Sequence, residues 1–248
     1  MRKTRCATRR RRGRSRKGSS YRGGGNIGPI GGHTTAVFTF GRFQPPHAGH
    51  ASIVSAVTAA AAELGGDGYV FASSSQNKPA HLASAKHVAM VALGTYETCG
   101  ANENPLSVAQ KIHFLEKMNP AAIATGTRFI DTTVCGCPNI FDVITKLKEV
   151  GYTSLVMLVG NDRVADFKGM FKRAKVEGVA VQAAGEKRNG SRASGVRSFS
   201  GTKVRMAAVA GDVGTVRAAT MIGDMTEADV MELINIIRVA LCYPPLNP

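Results

Sequence analysis

The stretch FTFGRFQPPHAGH, residues 38–50, joins two kinds of sequence. Before it and overlapping it lies TAVFTF (35–40), a short run of β-formers bounded by glycines. After it comes AGHASIVSAVTAAAAELG (48–65), whose apolar residues at 53, 54, 57, 60, 61 and 64 follow helical spacing. The stretch is therefore a hinge from strand to helix. Pro45 and Pro46 favour an extended turn. Next, GYVFASSS (68–75) reads as a second strand ending in polar residues. Strand, helix and strand make one βαβ unit, which calls for parallel pairing.

The alternation continues along the chain. Residues 80–94 and NPLSVAQKIHFLEKM (104–118) read as helices, and Ser107 with Gln110 has the spacing of a capping box. Residues 123–131 predict a strand, 139–151 a helix closed by Gly151, and TSLVMLVG (153–160) a continuous apolar strand. Residues 162–174 predict a helix, 178–184 a strand, 185–198 a Gly/Ser/Arg loop, 200–211 a helix and 226–241 a final helix with Thr226 as N-cap. The expected fold class is α/β, a doubly wound, Rossmann-like parallel sheet with a crevice at the strand C-termini.

Charge divides the chain unevenly. The formal net charge is +15. Residues 1–35 hold 11 Lys/Arg and no acid, which leaves 21 basic against 17 acidic residues, a net of +4, for the rest. Residues 1–34 thus form a basic Arg/Gly/Ser-rich arm, and residues 35–248 a domain. The arm has too few apolar residues to build a core. Three readings fit it: a phosphate-backbone binder acting by counterion release, a mitochondrial targeting peptide, or a solvated tail. The first is favoured, with a polyanion or acidic protein surface as the partner of residues 1–32. No run of 18 apolar residues is present, so no membrane span is expected. The five cysteines are odd in number and no secretory h-region follows the N-terminus, which points to a reduced intracellular setting, cytoplasm or nucleus. Cys135-Gly-Cys137 has no second pair or nearby histidine to complete a zinc site, so no metal ligands are assigned.

Three groups of residues fall at strand ends. His47 and His50 are three apart at the start of the first helix, on one side of it, with Gly49 between them leaving room for close approach. Helix N–H groups and the helix dipole add to the two imidazoles, giving an anion site suited to a phosphate whose charge grows during reaction. In SFSGTKVR (198–205), Ser200, Thr202, Lys203 and Arg205 open a helix and suit the remaining phosphates, or serve as a plain cap with surface bases. In LVGNDR (158–163), Gly160 and Asp162 end a buried strand, and Asp162 is either a ligand contact or a helix N-cap.

GRFQPPHAGH, NPLSVAQK, VGNDRVADFK and FSGTKVRMAAVAGD, in this order, resemble the nucleotidyltransferase superfamily with the HxGH signature. The likeness covers about residues 35–222 and is nearest to adenylyltransferase/cytidylyltransferase-like proteins of phages and bacteria, including nicotinamide mononucleotide adenylyltransferases. It implies that His47, His50 and Arg205 are catalytic. Ser200, Thr202 and Arg205 would hold the β- and γ-phosphates. Gly160 and Asp162 would face the ribose or the acceptor, and Gly41, Arg42 and Phe43 would line the nucleotide pocket beside Gly49 and Lys203. The implied reaction is transfer of a nucleotidyl group, adenylyl from ATP, to a small phosphorylated acceptor, with Mg2+ held through the phosphates. The chain departs from the pattern by an insert near 79–103 between Ser73-Ser74-Ser75 and Asn104-Pro105, which puts a role for Lys78 in doubt. It has no tryptophan to stack on a nicotinamide ring and no glutamate run of a Nudix hydrolase. The basic arm supports a different class as alternative: a structural or nucleic-acid-associated protein on the same fold, for example a component of a virus particle. Nothing in the sequence opposes oligomerisation.

Overall fold

The computed structural model describes residues 27–74, 104–184, 199–241 and 243–246. The expected helix at 80–94, the insert, Lys78, the 185–198 loop and residues 1–26 of the arm lie outside the described residues. Five strands form one sheet: β1 (Thr35–Gly41), β2 (Asp67–Ala72), β3 (Arg128–Asp131), β4 (Ser154–Gly160) and β5 (Val179–Ala184), in the order β3-β2-β1-β4-β5. All neighbours pair in parallel. From β1 the chain adds β2 and β3 on one side and β4 and β5 on the other, so the winding order reverses between β1 and β4. A parallel sheet needs cover on both faces, and the central strands show it: Ala36–Phe38 and Tyr69–Ala72 are almost wholly buried.

The helices are α1 (Ala48–Glu63), α2 (Val108–Met118), α3 (Pro120–Ala124), α4 (Ile140–Glu149), α5 (Val164–Arg173), α6 (Gly201–Ala210), α7 (Val213–Thr220) and α8 (Glu227–Ala240). Helices α4 and α5 cover one face through Val143, Ile144, Leu147 and Phe171, packed with Phe38, Phe71 and Met157. Helices α1 and α2 cover the other through Val54, Val57, Ile112 and Leu115. The C-terminal helices make a separate apolar cluster, in which Val204, Val216, Leu233 and Ile237 pack with Phe114 and Met118 of α2. Arg238 is buried there. Its guanidinium donates to the carbonyls of Ala208, Val209 and Pro244, satisfying the end of α6.

The capping boxes at Ser107–Gln110 and Thr226–Asp229 are both formed. Three expectations are corrected. The 123–131 strand is only Arg128–Asp131, because Pro120 starts a short helix that runs to Ala124 and the chain turns back at Gly126, φ +87°. A helix at 213–220 had not been expected. Its N-cap is Asp212, just after the Gly211 that ends α6 in the left-handed region. The Gln44–Pro45 bond is cis, so the diproline segment is not the simple extended turn. In addition, Cys135 and Cys137 are paired as a disulfide across Gly136, a pairing the cysteine count had not suggested.

Gln44 holds these parts together. Its side chain is buried and bonds both backbone groups of Leu106: Nε2 donates to the carbonyl at 2.6 Å, and Oε1 accepts from the N–H at 3.0 Å. Its own carbonyl accepts from Arg205 of α6. A Cβ on Gly201 would collide with that carbonyl, so glycine permits the approach of α6. Replacing Gln44 by Ala strands the buried N–H and C=O of Leu106, at about 1–3 kcal/mol for a buried group left unsatisfied. Denaturant unfolding is expected to show that loss, and Gln44→Glu is expected to be no better, since a carboxylate oxygen then faces the Leu106 carbonyl. An unchanged midpoint for both variants would contradict the role.

Candidate active site

The C-terminal ends of β1 and β4 open into a crevice of about 550 Å³, in the range of small-molecule sites. Gly41, Arg42, Phe43, Gln44, His47 and His50 line it from the β1 side. Gly160, Asp162 and Arg163 line it after β4, and Ser200, Gly201, Thr202 and Arg205 close it from α6. Ten of the twelve residues expected from sequence converge here, from segments more than 150 positions apart.

The β1–α1 turn is shaped by two unusual positions. Phe43 is buried with φ +48°, a conformation that costs a bulky residue about 1–3 kcal/mol. Its ring packs with Val54, Val70 and Ile112, which offsets that strain. The ring also lies over Gly41, where a Cβ would come within 2.9 Å of Cζ. Phe43 meets His50 edge to face at 5.0 Å, and His50 meets His47 at 3.9 Å between ring centroids. The two imidazoles are thus in contact, tilted 40° to one another, and braced from one side by Phe43.

His47 is the N-cap of α1. Its Nδ1 accepts from the Gly49 N–H at 3.1 Å. A nitrogen that accepts carries no proton, so His47 is neutral with its proton on Nε2. Gly49 itself does not line the crevice, and its N–H is engaged by His47. The His50 N–H likewise bonds the His47 carbonyl at 2.8 Å. The first turn therefore offers imidazoles more than open backbone donors.

At the other wall Ser200 caps α6, its hydroxyl accepting from the Lys203 N–H at 3.2 Å. Arg205 is braced by Thr202, whose hydroxyl accepts from Nη2 at 3.2 Å. Lys203 lies off the crevice, over the Phe199 ring at 5.3 Å. Asp162 is in a one-turn 3-10 helix and makes no cap, so the N-cap alternative does not hold. Its carboxylate folds back over Gly160, where a Cβ would come within 2.8 Å of Oδ1.

The HxGH turn sits at the point where the strand order reverses, and a Ser-x-Thr-x-x-Arg helix faces it. A family model of cytidylyltransferase-like proteins matches residues 38–207. The chain belongs to the cytidylyltransferase-like family. That makes it a nucleotidyltransferase of the HxGH superfamily, whose substrates are nucleoside triphosphates. No curated protein matches the chain significantly. No helix among the described residues is long and apolar enough to cross a membrane.

Besides Arg238, the described residues include a second buried cation that sequence reasoning left without a role. Lys111, the last residue of NPLSVAQK, is 2% exposed and donates to the Ser73 carbonyl at the end of β2. Burial lowers its pKa to about 8, Arg42 nearby adds to the fall, and Asp131 opposes it. The signal was present in the helical period: Val108, Lys111, Ile112 and Leu115 share the buried stripe of α2. Because the folded pKa lies below the unfolded value near 10.5, the unfolded chain holds the proton longer. The cost of burying this charge is full below about pH 8 and fades as pH rises toward 10.5. Wild-type stability is expected to rise relative to Lys111→Met between pH 7.5 and 10. A pH-independent difference in unfolding free energy would contradict the shifted lysine.

Proposed function

We propose that this nucleotidyltransferase moves an adenylyl group from ATP to a small phosphorylated acceptor and releases pyrophosphate. The observation that carries the reading is the meeting of the His47/His50 turn and the α6 N-terminus across one crevice. An acceptor phosphate oxygen attacks the α-phosphorus in line. A new P–O bond forms as the bond to the bridging oxygen breaks, and that oxygen leaves on pyrophosphate with its electron pair. No covalent enzyme intermediate is needed, so the protein contributes position and electrostatics.

His47, through Nε2–H, and His50 stabilise charge at the α-phosphate. Ser200, Thr202 and Arg205 hold the β- and γ-phosphates. Arg42, Phe43 and Gly41 bound the nucleotide, and Gly160 and Asp162 face the ribose or the acceptor. Lys203 and Gly49 act indirectly, one beside the phosphate helix and one by orienting His47. Asp162 is the single carboxylate among the described lining residues, too few for a protein cage and suited to Mg2+ carried mainly by phosphate oxygens. That ion would supply charge neutralisation on the triphosphate.

The 11 basic residues of the arm favour a second reading alongside it, a nucleic-acid-associated protein tethered through residues 1–32, as in a virus particle. The deciding assay is pyrophosphate release against a panel of nucleoside triphosphates and phosphorylated acceptors. Turnover is expected with ATP and is expected to fall about 10²–10³-fold in His47→Ala or His50→Ala, with the fold retained. No turnover with any pair, or wild-type turnover in a folded double variant, would overturn the enzymatic reading.

A further inference from the structure

The Cys135-Gly136-Cys137 turn has no part in the transferase chemistry, and its two sulfurs are paired. The turn follows β3 directly, on the pole of the sheet where the crevice opens. It leads through Pro138 to Asn139, the N-cap of α4. The Cα atoms of the cysteines are 5.4 Å apart, within the range a disulfide needs.

Backbone bonds, not the sulfurs, hold the turn in this shape. The Val134 and Cys135 N–H groups donate to the Asp131 carbonyl at 3.1 and 3.2 Å, and the Cys137 N–H donates to the Thr132 carbonyl at 3.1 Å. The Thr133 N–H donates to the Asp131 carboxylate at 2.7 Å. Thr132 is buried, and its hydroxyl donates to the Ala72 carbonyl and accepts from the Ser74 N–H, which ties the turn to the end of β2. Gly136, at φ +65°, brings the chain round between the cysteines. None of these bonds uses sulfur, so breaking the S–S bond leaves them in place. The two thiols of the reduced chain stay adjacent, and the pair can close again without a search.

The reduced state also has a partner in place. Cys135 Sγ lies 3.7 Å from the Thr132 carbonyl. A disulfide sulfur has no proton to donate there, whereas a thiol has one. The turn thus accommodates both redox states.

A purely structural role fits this disulfide poorly. The stabilisation a cross-link gives by restricting the unfolded chain grows with the loop it closes, and here only Gly136 lies between the cysteines. Exposure separates the two sulfurs instead. Cys137 is 1% exposed, whereas Cys135 is half-buried among the exposed Thr133, Val134 and Gly136. One member of the pair is open to a partner and the other is shielded.

We infer that Cys135 and Cys137 form a redox-active site that exchanges two electrons with a thiol–disulfide couple. In the reductive direction a partner thiolate attacks Sγ of Cys135. The S–S bond breaks, and Cys137 leaves as a thiolate with the electron pair and takes a proton from water. A second partner thiolate then attacks the partner's sulfur in the mixed disulfide. Cys135 leaves as a thiolate and is protonated in turn, and the partner departs as a disulfide. The same steps in reverse oxidise the turn. This site is separate from the crevice, and the inference does not depend on adenylyl transfer.

The test is a redox titration of the full wild-type chain. Protein is equilibrated in mixtures of reduced and oxidised glutathione and quenched with an alkylating reagent, and the peptide carrying residues 135–137 is weighed by mass spectrometry. The pair is expected to pass reversibly between dithiol and internal disulfide across the series, with mixed disulfide on Cys135 and not on Cys137. Towards an aromatic disulfide reagent, Cys137→Ala is expected to react at residue 135 on the order of ten-fold faster than Cys135→Ala reacts at residue 137. The oxidised and dithiol forms of the wild type are expected to melt at nearly the same temperature, as a cross-link of such short span requires. Faster reduction by a Cys-x-x-Cys protein than by glutathione at equal thiol concentration would identify the partner as a protein, and the reverse as a small thiol. A pair that stays dithiol, or stays disulfide, through the whole series would overturn the inference. So would equal reactivity of the two variants, or reduction that unfolds the wild-type chain.

Discussion

Arg205 reaches the Gln44 carbonyl across about 160 residues of chain, and the functional half of the molecule depends on that contact. Gln44 sits between the cis Pro45 and the strained Phe43, in the turn that carries both histidines. Its side chain fixes the Leu106 backbone before α2, and its carbonyl receives α6. One buried residue thus links β1, the start of α2 and α6. Gly201 makes the contact sterically possible, and Thr202 steadies the guanidinium. Without this link the two motifs would be separate ornaments of a sheet. With it they are the two walls of one crevice.

The charge layout follows from the same geometry. Arg42, Arg163 and Arg205 line the crevice with Asp162 as the single acid among the described lining residues. Such a site attracts a polyanionic substrate. The bond from the Gly49 N–H to His47 Nδ1 fixes the ring of His47 beside that of His50.

Much of this was legible in the sequence because the signals were local. Alternating strands and helices gave the parallel sheet, and the Ser107 and Thr226 caps were readable from spacing. The HxGH turn and Ser200–Arg205 were readable because residue types and position coincide. What escaped depends on tertiary context. Gln44 looks like any loop glutamine until its two bonds to Leu106 are seen. The engagement of the Gly49 N–H by His47 is a rotamer choice, and Lys203 differs from Arg205 only in which side of α6 it faces. The strand expected from 123 was an error of weighting, since Pro120 and Gly126 already marked a helix start and a turn. Helix 213–220 has eight residues and weak amphipathicity, and its packing with α6 and α8 stabilises it rather than its own pattern.

The central claim is that Arg205, clamped to the histidine turn, addresses the outer phosphates of a triphosphate. Calorimetry with ATP and with AMP on wild type and Arg205→Ala tests it most directly. The affinity for ATP is predicted to fall about ten-fold or more, as for loss of a charge-assisted contact, while that for AMP falls much less. An equal loss for both nucleotides would contradict the account, because Arg205 would then act on the shape of the crevice and not on the phosphates.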